Sequence, residues 1–433
     1  MRLNREQLNL IQEKMGVDKL WSYSKVGTFD QCTWLYKLKY IDKIRVKGDN
    51  CWTWWGSASH EIMQDWYDKK FNEYIEMAGV LEKKVIEYSL IADKKYHFPD
   101  DNQWKNYIAN IRHYFANTEI IPFNVINERA VLAVFQGIEK YVFQGYLDSE
   151  FVDAEGNLVI MDYKTSSISG FTGQDLIKKA RQLIIYAIGV SQHGRMIDGE
   201  MRQFPIDKIK VRYDMMKYVN VTFMQKNGNI KVTKAERRNW VGHMATQLRK
   251  DLEDIPKDIE KCEKEIKKLE RKYNAKVRTE DEKRELEPLI KEQYDRQAYL
   301  ENYVFDEEKV AELIEQACTS NELTCMPPFI QEKYTVGNCY IDVELTPEVI
   351  EECRTELVAT LDQITLKSKK GVDTEEAFDR SRIENSDSYY CVNLCDMKDH
   401  CKHYKEFKQH NEMFLMEKKP PSDQELLSLL GLG

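Results

Sequence analysis

Hydrophobic and polar positions alternate with different periods along this chain, and the changes of period mark its parts. The middle is strand-like. ERAVLAVF (128–135), KYVFQGYLDSEFV (140–152) and NLVIMDYKT (157–165) are β-branched and aromatic, with turn signals between them. Asp153, Glu155, Gly156 and Asn157 form the hairpin turn joining the last two. Residues 174–191, QDLIKKARQLIIYAIGVS, then follow a helical period. Two further strands are expected around KIKVRYDM and KYVNVTFM, flanking a turn near Met215–Lys217. FIQEKYTVGNCYIDVEL is expected as a strand, and Thr346–Leu366 as a helix with Pro347 in its first turn.

The flanks are helical. Residues 20–47 look helical after a loop, capped by Ser24 or Thr28, with Phe29, Cys32, Leu35 and Tyr36 at helical spacing. In CWTWWGSASHEIMQDWYDKKF, Gly56 marks a turn, and the helix after it carries His60 and Glu61 near its start. Residues 80–120 are helix-rich without a chemical signature. Over 244–303 the pattern becomes heptad-like: Leu248, Leu252, Ile255, Ile259, Cys262, Ile266, Leu269 and Tyr273 recur in steps of four and three. Asn274–Arg278 is the expected tip, and Thr279 with Glu282 a capping box for a return helix. Pro256 and Pro288 count against unbroken helices there. The expected object is an antiparallel helical hairpin inserted in the central domain, with Cys262 in its seam. Ser422 and Glu425 cap a short amphipathic end, LLSLLGLG, fit to dock on this chain or on a partner.

Five regions follow: 1–125 helical, 126–240 the core, 241–305 the helical insertion, 306–404 a return to the core with a cysteine-rich segment, and 405–433 a tail. The fold class is α/β, a central mixed sheet flanked by helices. No run approaches the about 18 apolar residues of a membrane span, and the N-terminus has no signal-peptide core, so a cytoplasmic location is expected. There the ten cysteines are thiols or metal ligands rather than disulfides. The net charge of −9 argues against nonspecific coating of nucleic acid. It leaves room for a local basic channel, such as the island Lys37, Lys39, Lys43, Arg45 and Lys47, which reads equally as a solvated face.

Two constellations carry chemistry. Asp148 ends GYLD on one strand, and Asp162 and Lys164 stand two apart in MDYK on the next. Residues i and i+2 of a strand share a face, so the three groups can converge. Two carboxylates meeting at one point call for a divalent cation such as Mg²⁺ or Mn²⁺. A lysine beside them can orient or deprotonate an attacking water and stabilise phosphorane charge. D-x-K alone is more often a pair of ordinary hairpin charges. The second constellation is Cys32 with Cys391, Cys395 and Cys401. Four thiolates can hold an iron–sulfur cluster that would staple the two ends of the chain. They also suit zinc, with His400 and His403 as spare ligands. The other six cysteines are scattered and expected to be inert.

The ordered set YSKVGTFDQCTWLYKLKYID, GSASH, Glu128, GYLD, MDYK, QLIIY and the C-terminal cysteines resembles the RecB family of PD-(D/E)XK nucleases over residues 23–401. By layout it is similar to AddB-type nuclease domains and CRISPR-adaptation nucleases that carry an iron–sulfur cluster. The resemblance implies a restriction-endonuclease-like core with an iron–sulfur-stapled helical region. It makes Asp148, Asp162 and His60 metal ligands, Lys164 the catalytic lysine, and Gln182 and Tyr186 the Q-x-x-x-Y pair that contacts DNA and organises the site. Glu128 matches a carboxylate that often precedes the G-x-x-D strand. Cys32, Cys391, Cys395 and Cys401 would hold a [4Fe–4S] cluster, with zinc the competing metal. The Cys391–Cys395 spacing is one residue wider than the C-x-x-C of those relatives. Taken singly, His60 also reads as a satisfied core histidine, and Gln182 and Tyr186 as surface-lining residues one helical turn apart.

The activity expected is a Mg²⁺- or Mn²⁺-dependent DNA exonuclease on single strands or ends, in recombination, repair or phage DNA metabolism. For a phage enzyme the compartment would be the host cytoplasm. No Walker A motif accompanies it, so no motor is expected. The alternatives are a structure-specific endonuclease and a DNA-end-binding protein recruiting recombination or replication partners through the arm or tail. No residue speaks against RNA.

Overall fold

A computed structural model describes residues 3–46, 50–277, 279–380, 383, 388 and 390–417. The capping box at Ser422 and the LLSLLGLG end lie outside the described residues, as does Lys47. Helices come first: α1 (Arg5–Met15), α2 (Tyr23–Gln31), α3 (Thr33–Tyr36), α4 (Cys51–Tyr67), α5 (Ile75–Ser89) and α6 (Asp101–Asn117). Strands β1 (Ile126–Gln136), β2 (Lys140–Val152) and β3 (Leu158–Lys164) lead into α7 (Gly173–His193). A small hairpin, β4 (Arg195–Ile197) and β5 (Glu200–Arg202), precedes β6 (Ile209–Met224) and β7 (Ile230–Glu236). Then come α8 (Trp240–Glu253), α9 (Ile255–Tyr273), α10 (Glu280–Glu301), α11 (Glu307–Ser320), α12 (Pro328–Lys333), β8 (Tyr334–Val343), α13 (Pro347–Lys367) and α14 (Thr374–Ala377). A last helix spans Lys402–Glu417.

The sheet is mixed. β1, β2 and β3 form an antiparallel meander, and β6 lies parallel to β3. The second half of β6 pairs antiparallel with β7, and β8 pairs antiparallel with β6. A parallel step needs a crossover, and α7 supplies it. One face of the sheet packs on α7 and α13 around Leu183, Ile184, Tyr213, Leu357 and Leu361. The other receives α4, α5 and α6 through Trp55, Ile62, Tyr114, Met161 and Tyr163. β3 is buried on both faces, which is why it reads as a nearly unbroken apolar run interrupted only by its site residues. A second core joins β6, β7, α8, α11 and the base of α9 and α10.

Several expectations are corrected. The two strands around Met215–Lys217 are one strand, β6, whose pairing with β8 shifts between Asp214 and Val219. The heptad run is split between α8 and α9 at Asp254, and Pro256 sits in the first turn of α9, where its missing N–H costs nothing. Pro288 lies inside α10. α4 starts at Cys51 under an Asn50 capping box and runs through Gly56, so Gly56 is no turn. Residues 20–46 hold two α-helices broken at Cys32, whose backbone is extended (φ −166°), the second continuing as a π-helical turn over Lys37–Ile41, and Ser22 rather than Ser24 or Thr28 stands at the first helix start. FIQEK belongs to α12, and the strand starts at Tyr334. Thr279 and Glu282 do form a capping box, and Cys262 is buried. No helix among the described residues is long and apolar enough to cross a membrane.

Candidate active site

The ladder between β2 and β3 runs from Val152↔Leu158 to Ser149↔Met161. One step beyond it stand Asp148 and Asp162, so the two carboxylates meet where the strands part. Lys164 follows on the same face as Asp162, with its Nζ 2.6 Å from Asp162 Oδ2 and 5.7 Å from the Tyr213 ring centroid. Tyr163 points the opposite way, into the α4–α6 core.

α4 brings His60 to the same place. Its Nε2 lies 2.7 Å from the Tyr163 carbonyl oxygen, and its Nδ1 3.3 Å from Asp148 Oδ2. A carbonyl only accepts, so Nε2 carries the proton and donates it. Nδ1 is left facing a carboxylate, an arrangement that asks for a proton or a cation between the two. This is the tautomer of a metal-ligating histidine whose other nitrogen is fixed by a backbone acceptor.

The carboxylates fit a cation on a second observation. Asp148 Oδ2 is buried without a hydrogen-bond donor, and Asp162 Oδ2 is buried with Lys164 beside it. The Lys164 ammonium, 2.6 Å from Asp162 Oδ2, is that atom's charged partner. Burial, then the charge of Asp162, push the Asp148 carboxyl up, while His60 and Lys164 pull it down. Burial alone would lower Lys164, but the neighbouring Asp162 prevails and holds it above its ordinary value. Lys164 is therefore an ammonium, suited to donating and to stabilising negative charge rather than to taking a proton. The donors stand in two pairs, His60–Asp148 and Lys164–Asp162. Among the described residues no three His, Cys, Asp or Glu side chains form a ready-made cage for one ion.

α7 closes the site from above. Gln182 Nε2 donates to the Tyr186 hydroxyl at 3.0 Å. That hydroxyl sits directly over Gly145, where a Cβ would overlap it. Burial raises the Tyr186 pKa, and Asp148 and Asp162 add to the rise. Glu128 stands across from Asp148 on β1 in a left-handed backbone (φ 48°), and the β1–β2 register omits this pair between Asn127↔Ser149 and Arg129↔Leu147. Its charge adds to the rise at Asp148. Such a backbone costs energy in a residue with a side chain and marks functional sites.

The four cysteines also come together. Cys32, Cys391, Cys395 and Cys401 line one pocket, closed by Trp34, Leu35, Leu38 and Met397. Cys32 Sγ accepts from Leu35 N and from Arg380 Nη1, both at 3.4 Å. Burial pushes the Cys395 thiol up to about 11 and raises Cys401. His400 and His403 do not line this pocket, and His403 Nε2 lies 3.0 Å from Asp379 Oδ1. In the basic island Lys37 is buried against Asp42 (2.8 Å) and Glu375 (2.6 Å) and Lys39 pairs with Asp396 (2.7 Å), while Lys43 and Arg45 are exposed.

Sequence reasoning missed two features. One is the Tyr163 carbonyl, for which backbone leaves no sequence signal. The other is a buried network in which Tyr114 donates to Asp214 Oδ2 at 2.7 Å while Arg237 lies over the Tyr114 ring.

Two carboxylates, a histidine and a lysine meet where β2 and β3, both interior to the sheet, part, a donor set that suits a divalent cation. The sequence model of the PD-(D/E)XK nuclease superfamily matches residues 20–285, more than half of the chain, and the chain belongs to that superfamily. The match includes α4, the β1–β3 meander and α7, and ends before β8 and the C-terminal cysteines. No curated protein matches the chain.

Proposed function

We propose that this nuclease is a Mg²⁺- or Mn²⁺-dependent DNA exonuclease of the RecB type, acting on single strands or DNA ends in recombination, repair or phage DNA metabolism. The observation that carries the proposal is the convergence of the buried Asp148 and Asp162 carboxylates with His60 Nδ1, 3.3 Å from Asp148 Oδ2, and Lys164 Nζ, 2.6 Å from Asp162 Oδ2. In this reading Asp148, Asp162 and His60 hold the cation. A cation bound there supplies Lewis-acid polarisation of the phosphate and a more acidic water. Lys164, as an ammonium, orients the attacking water and stabilises charge on the phosphoryl oxygens. Tyr186, held by Gln182, fixes the β2 strand at Gly145 and so the position of Asp148.

The second part of the proposal is a structural [4Fe–4S] cluster on Cys32, Cys391, Cys395 and Cys401. What supports it over a Cys/His zinc site is that all four cysteines share one apolar-walled pocket while both histidines stand outside it. Buried thiols with raised pKa values lose their protons when a metal replaces them.

The test is digestion of end-labelled linear and closed circular single-stranded DNA with Mn²⁺, comparing the parent with Lys164→Ala. Loss of linear DNA alone, abolished by the substitution, is the expected result. Cutting of circles would make it an endonuclease. DNA binding without cutting would make it an end-binding scaffold. His60→Ala should weaken Mn²⁺ binding at least tenfold by calorimetric titration, the usual scale for a lost ligand or its support; unchanged affinity would remove His60 from the ligand set.

A further inference from the structure

The helix that carries His60 also carries a half-exposed indole two turns earlier. Trp52, Gly56 and His60 stand on successive turns of α4. Their contacts fix the direction of the helix over the sheet. His60 bonds to the carbonyl of Tyr163. The bare side of Gly56 faces Thr165, the residue after Lys164, and a Cβ there would lie 3.8 Å from Thr165 Oγ1. α4 therefore runs along the end of β3, with His60 at the carboxylates and Trp52 beyond Thr165. Eight residues of helix put Trp52 about 12 Å from His60 along the axis, a few nucleotides of a DNA strand.

Trp52 is 38% exposed, unusual for an indole with aromatic neighbours available to cover it. Phe98 meets its ring at 4.5 Å and 77°, and Tyr107 at 5.7 Å and 66°, so both brace the indole and neither stacks on it. Tyr107 continues toward the site: its hydroxyl lies near Thr165 without a geometric hydrogen bond. Lys217, half-buried, holds its Nζ 5.3 Å from the Tyr107 ring centroid. Among the described residues no carboxylate forms an ion pair with Lys217. On a chain of net charge −9, the buried Tyr107 ring, packed on Trp52 and on Lys217, brings a cation without an ion-pair partner close to the open indole, a local match for a polyanion with unpaired bases.

We propose that Trp52 stacks an unpaired base of the DNA strand whose phosphodiester lies at Asp148 and Asp162, and that Lys217 contacts a phosphate beside that base. Gly56 keeps the floor between Trp52 and His60 low, so the strand passes over it. Stacking platforms of this kind select single strands without reading sequence, because every base has a π face. The proposal rests on the nuclease reading above and adds to it the reason for a single-strand preference.

The experiment uses the full chain carrying Lys164→Ala, so that DNA is bound and not cut, with fluorescence anisotropy of a labelled single-stranded oligonucleotide and of a blunt duplex. Trp52→Ala should weaken single-strand binding roughly tenfold, the scale of one lost base stack, with the duplex unchanged. Trp52→Phe should restore most of the loss. Lys217→Ala should weaken binding and flatten its salt dependence. Abasic residues placed one at a time along the oligonucleotide should find one position where loss of the base matches Trp52→Ala and adds nothing to it. Equal weakening on single strand and duplex, or no such position, overturns the stacking proposal. So does cutting of linear single strands by otherwise unchanged Trp52→Ala protein at the parent rate. A parent protein that neither binds nor cuts DNA overturns the nuclease reading and this one together.

Discussion

Gly145 shows how a single residue is dictated by the site. Its φ is ordinary, so backbone freedom is not the reason for glycine; the reason is the Tyr186 hydroxyl where a Cβ would stand. Gly145→Ala should cost about 1–3 kcal/mol of stability through overpacking and slow cutting sharply by displacing Tyr186. In a Tyr186→Ala background, itself destabilised by loss of a buried ring, Gly145→Ala should cost little further by urea unfolding, with cutting low in both. If Gly145→Ala costs as much there as in the parent, the clash is not the cause. Asp214 makes a different prediction. Burial raises its pKa to about 6, despite the Tyr114 hydrogen bond and Arg237, both of which lower it. A carboxyl whose folded pKa lies above its unfolded value favours the folded state most below the unfolded value, and loses that contribution as pH rises through the folded one. The parent should therefore lose about 1.5 kcal/mol relative to Asp214→Asn between about pH 5 and about pH 7.5, whatever constant offset the substitution brings through Arg237. A difference in unfolding free energy that does not change with pH would contradict this.

At the scale of elements, the sequence was legible where period and chemistry agreed. The meander 126–164, α7 and α13 stand close to their expected bounds because alternation, turn residues and caps all point the same way. Asp148, Asp162, Lys164, His60, Gln182 and Tyr186 do come together. What could not be read were joins and breaks set by neighbours. β6 continues through Met215–Lys217 while its partners change: β3 pairs it up to Met215, β7 takes over at Tyr218, and its register with β8 shifts between Asp214 and Val219, a tertiary fact invisible in the local pattern. The split at Asp254 was visible in Pro256, yet the apolar spacing runs across it, since α8 and α9 both contribute to one core. α9 and α10 allow a prediction. Ile255, Cys262 and Leu300 anchor their base in that core, whereas toward the tip Tyr273 bonds Glu287 at 2.9 Å and Tyr294 bonds Glu270 at 2.8 Å, within the pair only. Val277 at the tip is 93% exposed. Beyond Leu269 no described residue of the hairpin is buried before Leu300, so replacing residues 270–287 by a short Gly-rich turn should change stability by no more than about 0.5 kcal/mol, as for other surface changes. Cutting of a short oligonucleotide should be unchanged in the same protein. Loss of cutting with unchanged stability would mean that the arm holds the substrate.

Across the whole molecule, the N-terminal helices are tied to the sheet by contacts that owe nothing to the cysteines. Trp21 pairs its backbone with Val142 and Gln144 of β2 at 2.8 Å. Asp30 accepts from Arg181 of α7 (3.0 Å) and Thr360 of α13 (3.2 Å). Phe29 and Tyr36 pack on Phe378. Among the described residues, the segment bearing Cys391, Cys395 and Cys401 is held by Lys39–Asp396, the contacts of Trp34 with His403 and Lys402, the pairs of Lys402 and His403 with Asp379, and a small cluster of Trp34, Leu35, Leu38 and Met397. A bound cluster would therefore stabilise mainly that segment, while the proposed nuclease centre, on α4, β2, β3 and α7, stands on its own core. Cys32→Ala should bleach the visible colour of the purified protein and lower its solubility. Proteolysis should then begin in the segment carrying the other three cysteines, because regions with few buried contacts open first. Cutting of a short single strand should persist, since no residue of the carboxylate site touches the cysteine pocket. A colourless parent would remove the cluster from the account. A coloured Cys32→Ala protein would remove Cys32 from its ligands. Collapse of the whole fold in the bleached variant would show that the two ends are joined more deeply than these contacts imply, with the staple supporting the sheet itself.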